Sequence, residues 1–227
     1  MKKMKNNQLL PGAVLLLIFA AWTVLIMNID VRPAGPNGSV VGFAAFNTWF
    51  HNMTGVHMTL YTITDWLGLV PIVICLCFAG VGLSQWIKRK NIAGVDVDIL
   101  LLGGYYILVI AAYVFFEMVP VNYRPILIDG YLEASYPSST TLLVLSVLPT
   151  LKYQIDRRAT NLVIKKAVKA FVIVFSLFMV TGRLLSGVHW FTDIAGGVLL
   201  SAGLFYIYEG AVQMAEKAEE REEHGIL

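Results

Sequence analysis

Long apolar stretches recur along the chain and alternate with shorter polar connections. A helix needs about 20 mainly apolar residues to cross the roughly 30 Å hydrocarbon core of a bilayer. Six stretches meet or approach this requirement, and the last three are shorter or carry charges at their ends. The pattern predicts an all-α bundle of six transmembrane helices, over residues 9–29, 66–86, 99–116, 137–151, 166–180 and 189–208.

The composition agrees with an integral membrane protein. Of the 227 residues, 57% are hydrophobic and 14% are charged, whereas a soluble domain carries roughly a quarter charged residues. An ordinary cytosolic enzyme is therefore excluded. The net charge of +2 is too small to indicate nucleic-acid binding. The two cysteines, Cys75 and Cys77, lie within an apolar run and are expected to be reduced packing residues.

Lys and Arg residues are distributed unevenly between the connections. Fourteen of the 17 lie before the first predicted span (Lys2, Lys3 and Lys5), between the second and third, between the fourth and fifth, or after the sixth. Because cytoplasmic loops carry an excess of basic residues, we predict a multi-pass protein of the cell membrane with both termini in the cytoplasm. The alternate loops, which hold only three basic residues, then face outward.

The chain is expected to form one domain in three parts. Residues 1–60 contain the first helix and an outer segment, residues 61–212 form the transmembrane core, and residues 213–227 form a charged cytoplasmic tail. Within the outer segment, residues 40–59 place aromatic side chains at helical spacing. This pattern predicts an extra amphipathic helix, which either lies on the outer leaflet or forms a lid packed on the bundle.

Polar residues form three clusters at the predicted outer ends of the third to sixth spans. They cover residues 117–125, 133–140 and 182–193. Ionisable residues near a membrane span are costly, and they usually mark a functional site. Because short loops bring neighbouring helix ends together, we expect the three clusters to line one outward-facing pocket.

The chemistry of these clusters fits phosphoryl recognition. His189 and Asp193 are four residues apart, so they share one face of a helix. A carboxylate beside one ring nitrogen fixes the tautomer and leaves the other nitrogen free to attack. Arg124 and Arg183 can each donate two hydrogen bonds to phosphate oxygens. Ser138 follows a proline at a predicted helix start, where N–H groups favour an anion.

These motifs resemble those of the membrane-bound type 2 phosphatidic acid phosphatases, which are related to the vanadium haloperoxidases. That family has the motifs K-x6-RP, PSGH and SR-x5-H-x3-D, and the resemblance covers about residues 60–210. It implies that His189 is a nucleophile forming a phosphohistidine and that Asp193 orients it. It also implies that no metal or other cofactor is needed. The residues of the three motifs that would bind the phosphate are Arg124, Ser138, Ser139, Thr140 and Arg183.

The chain departs from the family motifs at positions that matter for chemistry. Glu117 replaces the lysine of the first motif, Ser139 and Thr140 replace the glycine and the general-acid histidine of the second, and Gly182 replaces the serine of the third. An ionised Glu117 about 4 Å from a phosphate charge would repel it by roughly 4 kcal/mol at an effective dielectric constant of 20. Its role therefore has to be explained.

Four explanations for a glutamate at position 117 are open. It can be protonated and act as the proton donor in place of the histidine. The leaving group can be a lipid phosphate, as in a polyprenyl diphosphate, which needs little acid catalysis. Glu117 can pair with a cationic head group such as choline or ethanolamine, or it can form an ion pair with Arg124. Of the neighbouring carboxylates, Glu133 either hydrogen-bonds Arg124 or faces water, and Asp65 is expected to cap a helix.

The sequence predicts a membrane phosphatase that hydrolyses a lipid phosphate, or a polyprenyl or other lipid diphosphate, at the outer membrane face. Its partners would be this lipid substrate and the bilayer. Two alternatives remain: a transferase acting on phospho-head groups, and a non-hydrolytic lipid-binding or transport protein that has kept the fold.

Overall fold

The structure, a computed structural model, describes residues 8–223 and is mostly helical. A two-residue antiparallel pair, β1 (Arg32–Pro33) and β2 (Val40–Val41), connects the first two helices. The helices are α1 (Leu9–Asn28), α2 (Ala44–Thr54), α3 (Met58–Leu67), α4 (Leu69–Arg89), α5 (Val97–Met118), α6 (Ser139–Arg158), α7 (Leu162–Leu185) and α8 (Phe191–Glu223). The predicted helical class is confirmed. Lys2, Lys3, Lys5 and residues 224–227 lie outside the described residues.

Four described segments are long and apolar enough to cross a membrane. They are α1, the nearly continuous pair α3 and α4 (Met58–Arg89), α5, and residues Phe191–Arg221 of α8. The chain is therefore a multi-pass membrane protein, as predicted. That α6 and α7 also span, giving six crossings, stays a prediction. Helix α2 lies within the segment expected to be amphipathic, and its position relative to the membrane likewise stays a prediction.

Helix α6 lies among α4, α5, α7 and α8, which explains why it is less apolar than the other predicted spans. Several of its polar side chains are buried against protein, and neighbouring helices satisfy two of them. The Tyr106 hydroxyl lies 2.7 Å from Thr150 Oγ1, and Gln154 Nε2 donates to the Tyr208 hydroxyl over 2.7 Å. Polar groups at membrane depth require such partners because lipid offers none.

Helices α1 and α8 pack along most of their shared length, and a glycine on α8 permits their close approach. A Cβ atom at Gly203 would lie 2.8 Å from the Leu16 side chain of α1. Small residues at such contacts allow the backbones of membrane helices to come close together. The first helix is therefore an integral part of the bundle.

A charged cluster ties α5, α6 and α8 together at the end where α5 begins. The Asp98 carboxylate, which is 8% exposed, receives hydrogen bonds from Arg158 Nη1 and Nη2 over 2.7 and 2.9 Å. Arg157 lies 3.3 Å from the same carboxylate and also pairs with Glu216 of α8. Next to this cluster, hydrogen bonding from Arg89 lowers the pKa of Asp96. We call Asp98, Arg157, Arg158 and Glu216 the basal ion cluster.

Candidate active site

The connection between α5 and α6 folds back on itself and places Arg124 beside Glu133. The backbone N–H of Arg124 donates to the carbonyl of Glu133 over 3.0 Å, and that of Ser135 donates to the carbonyl of Asn122 over 2.9 Å. The side chains then meet, because Arg124 Nε lies 2.9 Å from Glu133 Oε2. Glu133 therefore forms an ion pair with Arg124, while its side chain is also 43% exposed, so both expectations for Glu133 are met in part.

The loop that carries His189 requires glycine at position 187. Gly187 has a φ of 71°, and a Cβ atom there would lie 2.1 Å from the Gly55 carbonyl oxygen. A side chain would be strained in this conformation and would collide with the neighbouring backbone. Close by, the N–H of His57 donates to the carbonyl of Ser186 over 2.9 Å. The loop is thus fixed against the segment between α2 and α3.

The contacts of His189 define which of its nitrogens is free to react. Nδ1 lies 3.1 Å from the Ser135 carbonyl oxygen, which can only accept, so Nδ1 carries the proton. Nε2 is then unprotonated, and its lone pair accepts a long hydrogen bond from Arg124 Nη1 over 3.4 Å. The imidazole and this guanidinium therefore converge, as the motif spacing predicts.

Asp193 is held firmly beside the imidazole but is not hydrogen-bonded to it. Its Oδ2 lies 3.8 Å from His189 Nδ1. Asn122 Nδ2 donates to Oδ1 and the Trp190 N–H donates to Oδ2, each over 3.0 Å. Catalytic hydrogen bonds are often long before substrate binds. The orienting role of Asp193 stays a prediction, and Asn122 is a positioning residue that no sequence spacing indicated.

The environment of His189 keeps its imidazole neutral. Burial, together with the positive charges of Arg124 and Arg183, holds the pKa of His189 well below its usual value of 6.5, against the effect of the Ser135 contact. A neutral imidazole keeps the Nε2 lone pair available near pH 7.

The neutral imidazole is expected to make folding stability depend on pH. In the unfolded chain His189 titrates at about 6.5, above its folded-state pKa. His189 therefore costs no stability above about pH 6.5, and it destabilises the fold increasingly as the pH falls towards the folded-state pKa. We expect the Tm of the purified protein to fall between about pH 7.5 and about pH 5.5, and the fall to be smaller in His189→Asn. Equal falls in both proteins would contradict this assignment.

Arg183 is buried between α7 and α3. Its side chain is 2% exposed, and its guanidinium lies 4.8 Å from the centre of the Tyr61 ring. Nη1 lies 3.4 Å from Thr64 Oγ1 and 3.5 Å from Asp65 Oδ1. The expectation that Asp65 caps a helix is wrong, because Asp65 lies in the last turn of α3 and faces Arg183.

Glu117 borders two cavities that adjoin His189 and Arg124. It lines a narrow cavity with His189, Ser135 and Ser139. It also lines a cavity of about 480 Å³ with Arg124, Glu133 and Ser139. Its carboxylate is exposed, and no ion pair with Arg124 is found in the described part of the chain, where Arg124 pairs with Glu133.

The residues of the second motif occupy different places. Ser139 lines both of these cavities and a third of about 280 Å³, which Thr140 also lines. Ser138 is fully buried at the start of α6, where its hydroxyl accepts from the Thr141 N–H over 3.5 Å. A phosphate-binding role for Ser138 stays a prediction. Within residues 8–223, no group of three or more His, Cys, Asp or Glu side chains is placed to hold a metal ion.

Comparison with known proteins identifies the fold and the family of the chain. A solved structure, described as the first transmembrane PAP2 type phosphatidylglycerolphosphate phosphatase from Bacillus subtilis, superposes with a TM-score of 0.61. The match covers 89% of this chain and 96% of that chain at 18% sequence identity, so it shows a shared fold. No curated protein gives a significant match. The family model described as PAP2 superfamily matches residues 99–216, more than half of the chain, which therefore belongs to the PAP2 superfamily.

Proposed function

We propose that the protein is a membrane lipid phosphatase that hydrolyses a lipid phosphate or diphosphate through a phosphohistidine on His189. The observation that carries this proposal is the unprotonated Nε2 of a neutral imidazole, which faces the Arg124 guanidinium at 3.4 Å. A nucleophile beside a cation suits attack on a phosphate, because the phosphate charge is neutralised where the new bond forms.

In the proposed reaction, Nε2 attacks phosphorus and the bond from phosphorus to the lipid oxygen breaks. The lipid leaves with the electron pair, and the phosphorylated ring becomes cationic. The Ser135 carbonyl at Nδ1 and the Asp193 carboxylate, 3.8 Å from the same atom, stabilise that charge. Water then attacks the phosphohistidine and gives up a proton, which restores the neutral imidazole and releases phosphate. That proton balances the one that a leaving alkoxide takes from solvent. Arg124 and Arg183 neutralise the phosphate oxygens, and no step requires a metal.

We further propose that six helices span the membrane and that the site faces outward, with both termini in the cytoplasm. The two ends of α5 support this orientation. Asp98, at its beginning, contacts the basic residues Arg157 and Arg158, whereas Glu117, at its end, borders the site. Basic residues are retained on the cytoplasmic side. On α2, the exposed side chains of Trp49 and Met53 suit contact with the outer leaflet.

The third cavity supports a lipid substrate. It runs from Ser139 and Thr140 along α4 and α5, where its lining includes Leu69, Ile72 and Ile110. A polar end beside the site and an apolar remainder match a molecule with a phosphate head and a hydrocarbon tail.

Release of inorganic phosphate tests the proposed function. We expect purified protein, with EDTA present, to release phosphate from at least one of phosphatidate, phosphatidylglycerophosphate, a polyprenyl diphosphate and a sphingoid phosphate. Vanadate, which mimics the pentavalent state in phosphoryl transfer, should inhibit this release. Lipid binding without turnover, and without vanadate binding, would instead identify a non-hydrolytic carrier. The absence of the acid histidine at Thr140 favours this alternative function.

A further inference from the structure

The charges around the site are arranged unusually for one that receives a phosphate. Each arginine already faces a carboxylate: Arg124 Nε lies 2.9 Å from Glu133, and Arg183 Nη1 lies 3.5 Å from Asp65. Glu117 adds a third carboxylate, and no hydrogen bond or ion pair of its side chain is found within residues 8–223. The rim of the site therefore holds three carboxylates and two guanidiniums, and its charge is net negative when all are ionised.

A phosphate without a countercharge would be repelled by this rim. Glu117 lines the same narrow cavity as His189, so an ionised carboxylate there would oppose the binding of a phosphate under attack. An ionised carboxylate in that place is favourable when the substrate itself brings a positive charge. The excess charge thus indicates a cation that arrives together with the phosphate.

The larger cavity offers a place for such a cation. Glu117 and Glu133 both line it, and Glu133 is 43% exposed, so each carboxylate can turn towards an ammonium group. Tyr113 and Tyr123 also belong to its lining. Carboxylates combined with aromatic rings form the usual surroundings of a bound ammonium.

A second observation marks the place of the phosphate independently. Arg183 is 2% exposed, and its Nε has no hydrogen-bond partner in the described part of the chain. An unpaired donor on a buried guanidinium requires an acceptor, and a phosphate oxygen supplies one. The ligand therefore carries an anion on the side of the two arginines and a cation on the side of Glu117.

We propose that the substrate is a phosphate ester of a 2-amino alcohol, with its ammonium group held by Glu117 and Glu133. This inference rests on the proposed function and specifies its substrate. Glu117 and His189 line the same narrow cavity, which favours a ligand whose ammonium lies a few bonds from phosphorus, as when two carbons separate it from the ester oxygen. Sphingoid phosphates and ethanolamine phospholipids both contain this unit.

The same unit accounts for the missing acid histidine at Thr140. When His189 Nε2 attacks phosphorus, the bond from phosphorus to the amino alcohol breaks and its oxygen takes the electron pair. The neighbouring ammonium donates a proton to that oxygen, and the resulting neutral amine regains a proton from water. The substrate thus supplies the general acid, while Glu117 positions the ammonium and is not itself a proton donor.

A matched pair of substrates tests the inference. A sphingoid 1-phosphate carries the ammonium, whereas its N-acetyl derivative keeps the phosphate and lacks the charge. We expect kcat/KM for phosphate release to be about tenfold or more higher for the amine, as for loss of a charged hydrogen bond. A second comparison uses phosphodiesters: ethanolamine release from dihexanoyl phosphatidylethanolamine against glycerol release from the phosphatidylglycerol analogue. Together the two comparisons show whether sphingoid phosphates or ethanolamine phospholipids are the substrate.

Variants of Glu117 show whether this residue sets the preference. Glu117→Gln should lower the ratio of kcat/KM for amine and N-acetyl substrates severalfold, because Glu133 and the proton donation by the ammonium remain. Glu117→Lys should lower the ratio further. Asp129→Asn, which neutralises an exposed carboxylate of the same connection outside the site cavities, should leave the ratio unchanged. Glu117 makes no hydrogen bond that its replacement would break, so these variants are expected to fold.

Three results would overturn the inference. The first is equal kcat/KM values for the two paired substrates in the unmodified protein. The second is an equal loss of kcat/KM on both substrates in Glu117→Gln, which would identify Glu117 as a proton donor. The third is a ratio of the two kcat/KM values that is unchanged in Glu117→Lys. His189-dependent release without amine preference would leave the proposed phosphatase intact and refute only this inference. If no lipid is hydrolysed, the proposed phosphatase function is refuted. In that case, equal binding affinities for the amine and N-acetyl substrates, measured by calorimetry, would refute the inference separately.

Discussion

Replacing His189 with asparagine is expected to abolish lipid phosphate hydrolysis, with kcat reduced by at least about 10⁴-fold. Nε2 is the atom placed to attack phosphorus, and nothing in the described site replaces it. Asparagine keeps a donor near the Ser135 carbonyl, which Nδ1 contacts at 3.1 Å, so the fold should be preserved. The measurement is kcat for phosphate release from whichever lipid the unmodified protein cleaves.

A second histidine on the same face of the bundle provides the control. His57 is exposed at the start of α3, and its ring contacts only the Thr54 carbonyl, at 2.9 Å, among the hydrogen bonds of the described residues. His57→Asn should therefore retain nearly full activity. Rapid quenching should also trap an acid-labile phosphoryl group on the unmodified protein and none on His189→Asn. Full activity, or equal labelling, in His189→Asn would refute the nucleophile assignment.

Replacing Asp98 with asparagine is expected to destabilise the bundle strongly without changing the chemistry of the site. Asp98 is 8% exposed and faces Arg157 and Arg158, so the substitution leaves two guanidiniums without their shared carboxylate. Because Arg157 and Arg158 are 28% and 33% exposed and keep Glu216 and Asp96 as partners, the expected cost is below that of a fully buried pair. We expect about 2 kcal/mol, or a fall in Tm of roughly 4 °C or more for a chain of this size. Thermal unfolding in detergent measures the effect.

Asp156 provides the matched control for this change. It pairs with Lys152 one turn away on α6, and both side chains are 40% exposed. Because exposed pairs contribute less than about 1 kcal/mol, Asp156→Asn should shift Tm only slightly. At temperatures where both variants are folded, each should retain the kcat of the unmodified protein. Similar small shifts in Tm for the two variants would show that the basal ion cluster does not stabilise the bundle.

The apolar pattern predicted the helices well where they face lipid and less well elsewhere. Helix α1 ends within one residue of its predicted limit, and α5 extends two residues beyond each predicted end. Helix α6 continues from the predicted Leu151 to Arg158, and α8 from Tyr208 to Glu223. Hydropathy registers contact with hydrocarbon, so it gives no signal where a helix is surrounded by protein or leaves the membrane.

The candidate site was predictable as far as its motifs extend. Their spacing brought Arg124, His189 and Asp193 to one place, as the structure has them. The contact between His189 and the Ser135 carbonyl was not predictable, because every residue type has a backbone carbonyl and the sequence does not show which one accepts. Asn122 was missed, and the role of Asp65 was wrongly predicted, for a related reason: their partners lie far along the chain, and only the folded connections reveal them.

The basal ion cluster lies at the opposite end of α5 from Glu117, and this separation bears on how such enzymes diversify. Substitutions that alter the preferred lipid need not weaken the contacts that join α5, α6 and α8. A lineage can therefore exchange a lysine for a glutamate at the rim while inheriting its scaffold unchanged. Related proteins with this bundle can then change their head-group preference without mutations that compensate for lost stability.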